Sequence, residues 1–332
     1  MTTANPTSVR NKGWSIAIMT ACIFAELLSW SSPLAWSQQQ PRDNAPRVRG
    51  MASPILPDTP PDRVSEHVYE LMGFPNVIFV VGDRATLVVD TGMGPKNGAL
   101  VAKDAASLKP GNILYLTTTH FHPEHAAGDS GFPKDTILIR NTVQQKELES
   151  DNGGMVKMFS GRGGANADLL KDVEFRRPDI TFDKQATIEL GGGVTASLIW
   201  AGPAHTQGDE LTYVEPDRTL ISGDVVQNKT LPSLFGPSAT LKNWIKTLQE
   251  LQSMVQPAHV VPDHSPVGDG SLLTEDLAFY SHLQSRALEL KAQGKSAAEA
   301  GQTIVDEVKP KYPGWPLEGV PGLVNHIYSE NP

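Results

Sequence analysis

The run His120-Phe121-His122-Pro123-Glu124-His125 decides how this chain is read. Three of the chain's nine histidines fall within these six residues. They follow directly on Ile113-Leu-Tyr-Leu-Thr-Thr-Thr119, which reads as a strand over 112–118. Residues two apart in an extended segment face the same side, so His120 and His122 make one pair. Pro123 turns the chain towards a helix start, and Glu124 with His125 makes a second pair. Imidazole together with carboxylate suits zinc, iron or manganese. Two ligand pairs suit two ions. The spacing excludes the helical metalloprotease patterns. HExxH needs Glu directly after the first His, and HxxEH would need His at 121, where Phe121 stands.

Working outward, short apolar runs bounded by turn signals predict strands over 64–71, 77–81 and 85–90, then a helix over 99–108. Beyond the histidines, a strand over 136–140 and a helix over 142–149 are expected. Residues 151–167, with Gly153, Gly154, Gly161, Gly163 and Gly164 and no clear period, read as a loop or insertion. Strands resume over 186–190, 194–200, 211–215 and 219–222. A helix over 241–254 carries Leu241, Ile245, Leu248 and Leu251 on one stripe. A last buried strand spans 258–261, and the chain from 272 reads as helical, broken at Gly294 and Pro310. Strands alternating with helices in two halves predict an α/β layered sandwich.

Further ligand-type residues stand where apolar strands end. His205 lies in Gly202-Pro-Ala-His-Thr-Gln-Gly-Asp209, Asp224 in Leu220-Ile-Ser-Gly-Asp224, and His264 in Val260-Val-Pro-Asp-His264. Strand ends converge on one rim in layered α/β folds, and ligands bind there. His67, His259, His282 and His326 read as packed or surface histidines. Arg162, Arg176, Arg177 and Lys229 read as solvated charge, with contact to an anionic substrate as the alternative.

The ordered set resembles the metallo-β-lactamase superfamily, whose chief motif HxHxDH is followed by a lone His, an Asp after an apolar strand and Gly, and a final His. This chain has HFHPEH, His205, Asp224 and His264 in that order, and Asp90 in Leu-Val-Val-Asp-Thr-Gly matches the early strand ending in Asp-x-Gly. The likeness covers roughly residues 64–267. It implies a four-layer αββα sandwich. His120, His122 and His205 would hold a first metal, and Glu124, His125 and His264 a second. Asp224 would bridge the two, and Asp90 would orient a ligand from behind. The resemblance implies zinc, as two ions, for the cofactor, with iron or manganese as alternatives.

The implied chemistry is hydrolysis of an ester, lactone, thioester or amide bond in a small molecule. A metal-bound hydroxide would be the nucleophile, with Asp224 and Glu124 as catalytic residues. Asp224 after Ser-Gly is similar to the glyoxalase II and lactonase branch; true β-lactamases carry Cys or Ser there. A β-lactam hydrolase and a mono-iron oxygenase of the same fold are the alternatives. Glu124 departs from the family's Asp. The extra methylene leaves open ligation through another rotamer, a different metal, a weak second site, or service as a base.

The N-terminal residues read as a signal peptide over 1–37. Arg10 and Lys12 give a positive start, 14–28 is mostly apolar, and Ala35-Trp-Ser37 offers a cleavage site. A Pro-rich tether over 38–62 follows, and the hydrolase domain with its helical C-terminal part spans 63–332. The apolar stretch is shorter than a membrane span and contains Glu26, so no stable membrane insertion is expected after cleavage, and a periplasmic or secreted location is. The single cysteine, Cys22, precludes a disulfide within the chain. A net charge of −9 without a dense basic run speaks against nucleic acid as a partner. A small-molecule substrate is the expected partner, and the oligomeric state stays open.

Overall fold

The computed structural model describes residues 53–234, 236 and 239–330. The expected signal peptide and the first part of the tether lie outside the described residues. The end of the tether stretch docks on the domain. Leu56 is buried and donates its amide to Asn97 Oδ1 at 3.1 Å, while Asn97 Nδ2 donates to Pro54 O at 2.6 Å.

The first sheet has seven strands, in chain order across the sheet: β1 (Asp62–Arg63), β2 (Val68–Leu71), β3 (Val77–Val81), β4 (Ala85–Val89), β5 (Ile113–Thr117), β6 (Ile137–Asn141) and β7 (Ile180–Phe182). It is antiparallel up to β4 and parallel from β4 to β7. The second sheet runs β13 (Gly268–Asp269), β12 (His259–Pro262), β11 (Thr219–Gly223), β10 (Leu211–Glu215), β9 (Val194–Ile199), β8 (Gln185–Gly191). Its one parallel pair is β11 with β12. β1, β7 and β13 have only two or three residues each, too few to show a period-two pattern in sequence.

Helices α1 (Gly94–Leu108), α2 (Pro123–Ala126) and α3 (Thr142–Asp151) follow β4, β5 and β6. α1 starts five residues earlier than its apolar period suggests, because Pro95 presets the backbone of its first turn. α4 (Gly154–Ser160) and α5 (Ala165–Leu169) replace the loop expected over 151–167. Phe159 and Leu169 drive them, packing with Met93, Ala127 and Leu170. Such short helices carry too few residues for a readable stripe. α6 (Leu241–Met254) crosses the second sheet, and α7 (Ser271–Ala292), α8 (Ala297–Val308) and α9 (Val320–Glu330) complete that side. Among the described residues no helix is long and apolar enough to cross a membrane.

Three cores define four layers. Between the sheets, Ile78, Val80, Leu87 and Val89 meet Ile188, Leu190, Leu198, Val214, Ile221 and Val261. On the outer face of the first sheet, Phe79, Val88, Leu116 and Leu138 pack under Val101 and Ala105 of α1. On the outer face of the second, Leu211, Leu220 and Val260 pack under Trp244, Leu248, Tyr280, Leu283, Ile304 and Val324. Fully burying one such side chain contributes about 1.5–3 kcal/mol, so each layer is held by a contiguous apolar face rather than by its loops. The arrangement is the expected αββα sandwich. The C-terminal ends of β4, β5, β11 and β12, in the middle of the two sheets, lead into the loops that carry Asp90, His120, Asp224 and His264.

Candidate metal centre

β5 ends at Thr117, and the chain bends through 119–122 to His122, whose φ and ψ are −61° and 148°. The bend brings the two rings together, with His120 Nε2 3.0 Å from His122 Nδ1. Pro123 then opens α2, and the amides of His125 and Ala126 both donate to His122 O at 3.0 Å. The turn sends His125 to the neighbouring position, its ring centroid 4.0 Å from that of His120.

The loops from the other strand ends close on this run. His205 Nε2 lies 3.2 Å from His122 Nδ1, and His125 Nε2 lies 3.2 Å from His264 Nε2. Two triads result, His120/His122/His205 and Glu124/His125/His264. Asp224 joins them: Oδ2 is 3.4 Å from His205 Nε2 and Oδ1 is 3.4 Å from His264 Nε2. Gly223 makes this turn possible. Its φ is +57°, and a Cβ there would lie 2.8 Å from Thr119 Cβ.

These spacings fit metal ions. Bonds of about 2.0–2.1 Å in a tetrahedral site place neighbouring ligand nitrogens about 3.3–3.4 Å apart, close to the nitrogen separations here. Glu124 Oε2 is buried beside His125 and His264 and has no hydrogen-bond partner among the described residues. An unpartnered buried carboxylate oxygen costs free energy that an ion would recover. Seven residues read as ligands from sequence, His120, His122, Glu124, His125, His205, Asp224 and His264, are thus brought together.

The electrostatics agree with a cation site. Burial, and then the adjacent imidazoles, hold His120 and His122 well below the usual histidine range, so both offer lone pairs at neutral pH. Burial pushes Glu124 up to about 7, against the pull of His125. Burial works against ionising Asp224, but His264 and His205 outweigh it and hold the carboxyl below its ordinary range.

A second set of residues, unseen in the sequence apart from Asp90, fixes the ligands from behind. His205 Nδ1 donates to Ser233 O at 2.7 Å, which leaves Nε2 facing the site. Asp209 accepts from Ala204 N and Thr206 N, each at 3.0 Å, and from Thr206 Oγ1 at 2.6 Å, gripping both neighbours of His205. Asp90, at φ +71°, accepts from His125 Nδ1 at 2.9 Å and from Thr119 N at 2.7 Å. Its left-handed backbone is the kind of strain that surrounding contacts must hold in place.

Thr119 Oγ1 sits 3.0 Å from both Asp90 Oδ2 and Asp263 Oδ2. One hydroxyl proton cannot serve two carboxylates. Asp263 is the carboxyl pushed well above the carboxylate range, by burial and by the charge of Asp90. Gln227 Nε2 donates to Asp224 Oδ1 at 3.1 Å, and Ser265 Oγ holds Gln227 Oε1 at 2.8 Å. The signals for Thr119 and Asp263 were their adjacency to His120 and His264; Asp209 and Gln227 had none.

Aromatic side chains rim the site. Phe74 lies 4.7 Å from His264, Phe121 5.0 Å from His122, and Phe159 6.3 Å from His122, measured between ring centroids. Of the cations read as solvated charge, Arg176 is tied down, donating to Thr136 O at 2.8 Å, and Arg162 stacks on Phe159 at 3.8 Å. Two of the histidines read as bland are paired with carboxylates away from the site, His67 with Asp217 at 2.6 Å and His326 with Glu330 at 2.9 Å.

Comparison with known proteins points the same way. The family model of the metallo-beta-lactamase superfamily matches residues 72–266. Among curated proteins, the chain is 24% identical over 221 residues to the acyl-coenzyme A thioesterase MBLAC2 of Bos taurus, covering 60% of this chain and 76% of that protein. It is 23% identical over 219 residues to the same-named protein of Homo sapiens, with the same coverage. Among solved structures, a metallo-beta-lactamase from Pontibacter korlensis superposes with a TM-score of 0.54 at 18% identity, over 67% of this chain and 98% of that one. The inverting sec-alkylsulfatase Pisa1 from Pseudomonas sp. superposes with a TM-score of 0.64 at 16% identity, over 82% of this chain and 50% of that one. At these identities the structures speak for the fold alone.

Proposed function

The chain belongs to the metallo-β-lactamase superfamily, and on that premise we propose that it is an exported, dinuclear zinc hydrolase of a small-molecule thioester or ester. The observation that carries the proposal is Asp224, whose two carboxylate oxygens face one histidine of each triad. A carboxylate placed in this way between two nitrogen sets could offer one oxygen to an ion in each. The thioester preference draws on the MBLAC2 relatives and on Asp224 standing after Ser-Gly. Export rests on residues 1–37. Lactone and amide bonds belong to the same acyl chemistry and are the nearest alternatives.

His120, His122 and His205 would hold the first ion, and Glu124, His125 and His264 the second, with Asp224 between them. When bound, the ions supply a water acidified to near-neutral pKa and a Lewis acid for the carbonyl oxygen. The chain's own groups do the rest. Ser233 O and Asp90 hold the Nδ1 sides of His205 and His125, so both Nε2 atoms already face the site. His125, which burial lowers but Asp90 and Asp263 raise well above the usual histidine range, would give up its Nε2 proton when an ion binds. Asp224, kept ionised by His264 and His205, would accept a hydrogen bond from an attacking water and offset the charge of bound cations. Glu124 adds a carboxylate oxygen beside His125 and His264, and Phe74, Phe121 and Phe159 give the rim apolar walls.

Elemental analysis of the mature protein, followed by a panel of acyl thioesters, esters, lactones, alkyl sulfates and β-lactams, tests the reading. About two zinc per chain and fastest turnover of a thioester or ester are expected. One iron per chain with oxygen consumption, or turnover confined to sulfates or β-lactams, overturns it.

A further inference from the structure

We infer that Arg162 is the anion-recognising residue of this site, so that the substrate carries an anionic group, a carboxylate being the simplest, at the end of the molecule away from the scissile carbonyl. This rests on the hydrolase reading above and specifies its substrate. The argument starts from Phe159. Its side chain is buried among Met93, Ala127, Leu169 and Leu170, so α4 fixes the ring in place. The Phe159 ring centroid lies 6.3 Å from that of His122. The guanidinium of Arg162 lies over the same ring, 3.8 Å from its centroid. The cation therefore stands no further than about 10 Å from the His122 ring, within the span of a short substrate stem.

Two features separate this arginine from ordinary surface charge. Stacking on an aromatic face holds the guanidinium in one plane, which lowers the ordering cost of a later contact. Yet stacking uses none of its N–H donors. Among the described residues no carboxylate pairs with Arg162 and no acceptor takes a side-chain hydrogen bond from it. Arg140 and Arg176 are spent, on Gln145 and Asp129 and on Thr136, and among the described residues Arg177 stacks on none of the aromatic rings of the rim. An ordered fork with unspent donors matches a carboxylate, which it can bind through two parallel hydrogen bonds. In a chain of net charge −9 an anionic substrate is repelled at long range, and a cation at the rim offsets that locally. The apolar rings of Phe159 and Phe121 fit the carbon stem between the two ends.

The test uses binding rather than turnover. The full chain is loaded with cobalt, and thiolate-to-cobalt absorption is titrated with 6-mercaptohexanoate and with 6-mercaptohexanol, two probes of matched length and stem. At low salt the wild-type protein is expected to bind the carboxylate probe about three- to fivefold more tightly, the worth of a well-placed exposed ion pair. Arg162→Ala brings the two affinities together, and Arg162→Glu reverses the order. Because Arg162 is exposed and Phe159 is untouched, neither variant threatens folding. Equal wild-type affinities, or a preference that survives in Arg162→Ala, overturns the assignment. A chain that shows no cobalt d–d absorption at all overturns the hydrolase reading instead, and the substrate assignment falls with it.

Discussion

Asp209→Ala separates a role in folding from a role in holding the metal centre. Asp209 is buried and accepts from Ala204 N, Thr206 N and Thr206 Oγ1, the residues on either side of His205. After truncation, Ala204 N can still reach Thr206 O at 3.1 Å, and the Thr206 hydroxyl can turn away. The Thr206 amide is then left buried without an acceptor, at about 1–3 kcal/mol, and two charge-assisted bonds are lost. Removing a buried carboxylate recovers part of this, since burial already disfavours its charged form. The net cost to the metal-free fold is about 2–3 kcal/mol. The cost to the metal is separate. His205 keeps its Nδ1 bond to Ser233 O but loses the clamp on its backbone, and loss of such support weakens binding about 10- to 100-fold. Thermal melts in excess chelator read the first effect, and competition against a chromophoric chelator reads the second. If the variant melts lower yet binds zinc within about twofold of wild type, the clamp does not position His205 and the reasoning fails.

Two further outcomes follow from other parts of the structure. Glu124→Gln keeps the shape of the side chain and removes its charge beside His125 and His264. Zinc bound per chain should fall from two towards one at limiting metal, with the three-histidine set retained. Unchanged stoichiometry and affinity would show that Glu124 is not a ligand. Asp217 accepts from Ser65 Oγ, from His67 N at 2.7 Å and from His67 Nδ1 at 2.6 Å, and these bonds hold its carboxyl below the ordinary 3.8 despite burial. A depressed carboxylate contributes stability that is present above its unfolded pKa and lost as pH falls through its native one. Asp217→Asn should therefore cost about 1–2 kcal/mol at pH 7 and less as the pH drops below 3.8, read as converging melting temperatures. A gap that widens on acidification contradicts the sign.

The parts of the fold that were legible in sequence carry a local signal. Helix α6 has an apolar stripe at helical spacing, and β3 and β4 are five-residue apolar runs, too short for a helix and bounded by turn residues. β1, β7 and β13 exist because a neighbouring strand supplies their partners, which no local pattern reveals. α4 and α5 were hidden for a different reason. Glycines at 153, 161, 163 and 164 bound them, and the apolar residues that anchor them, Phe159 and Leu169, find their partners Met93 and Ala127 far away in the chain. Ligands were legible because histidine is rare and its uses are few. Their supports were not, because Thr119, Asp209, Gln227 and Asp263 are common residue types whose work depends on a fold that brings distant loops together.

That difference bears on Glu124, the one ligand position where the chain leaves its family's pattern. Replacing Asp by Glu adds a methylene, and coordination tolerates only about 0.2 Å. The position can absorb the added length only if the surrounding groups allow the carboxylate to arrive from another direction. They do so here. α2 begins at Pro123, so Glu124 sits in its first turn, and its Oε2 ends within the Glu124/His125/His264 set without any competing hydrogen bond. His125, the histidine beside it, is fixed from the opposite side by Asp90 and Thr119, and these leave its Nε2 pointing inward. On the two-ion reading, a second ion would take its place from His125 and His264, with Asp90 and Thr119 fixing His125 from behind, and Glu124 would have to meet that position rather than define it. A consequence is that shortening the side chain should not restore a better site. Glu124→Asp is expected to bind the second zinc less tightly than the wild-type protein, because the fixed His125 and His264 would leave the shorter carboxylate out of reach. Tighter binding in that variant would mean that His125 moves to follow its neighbour, and that Asp90 does not hold it.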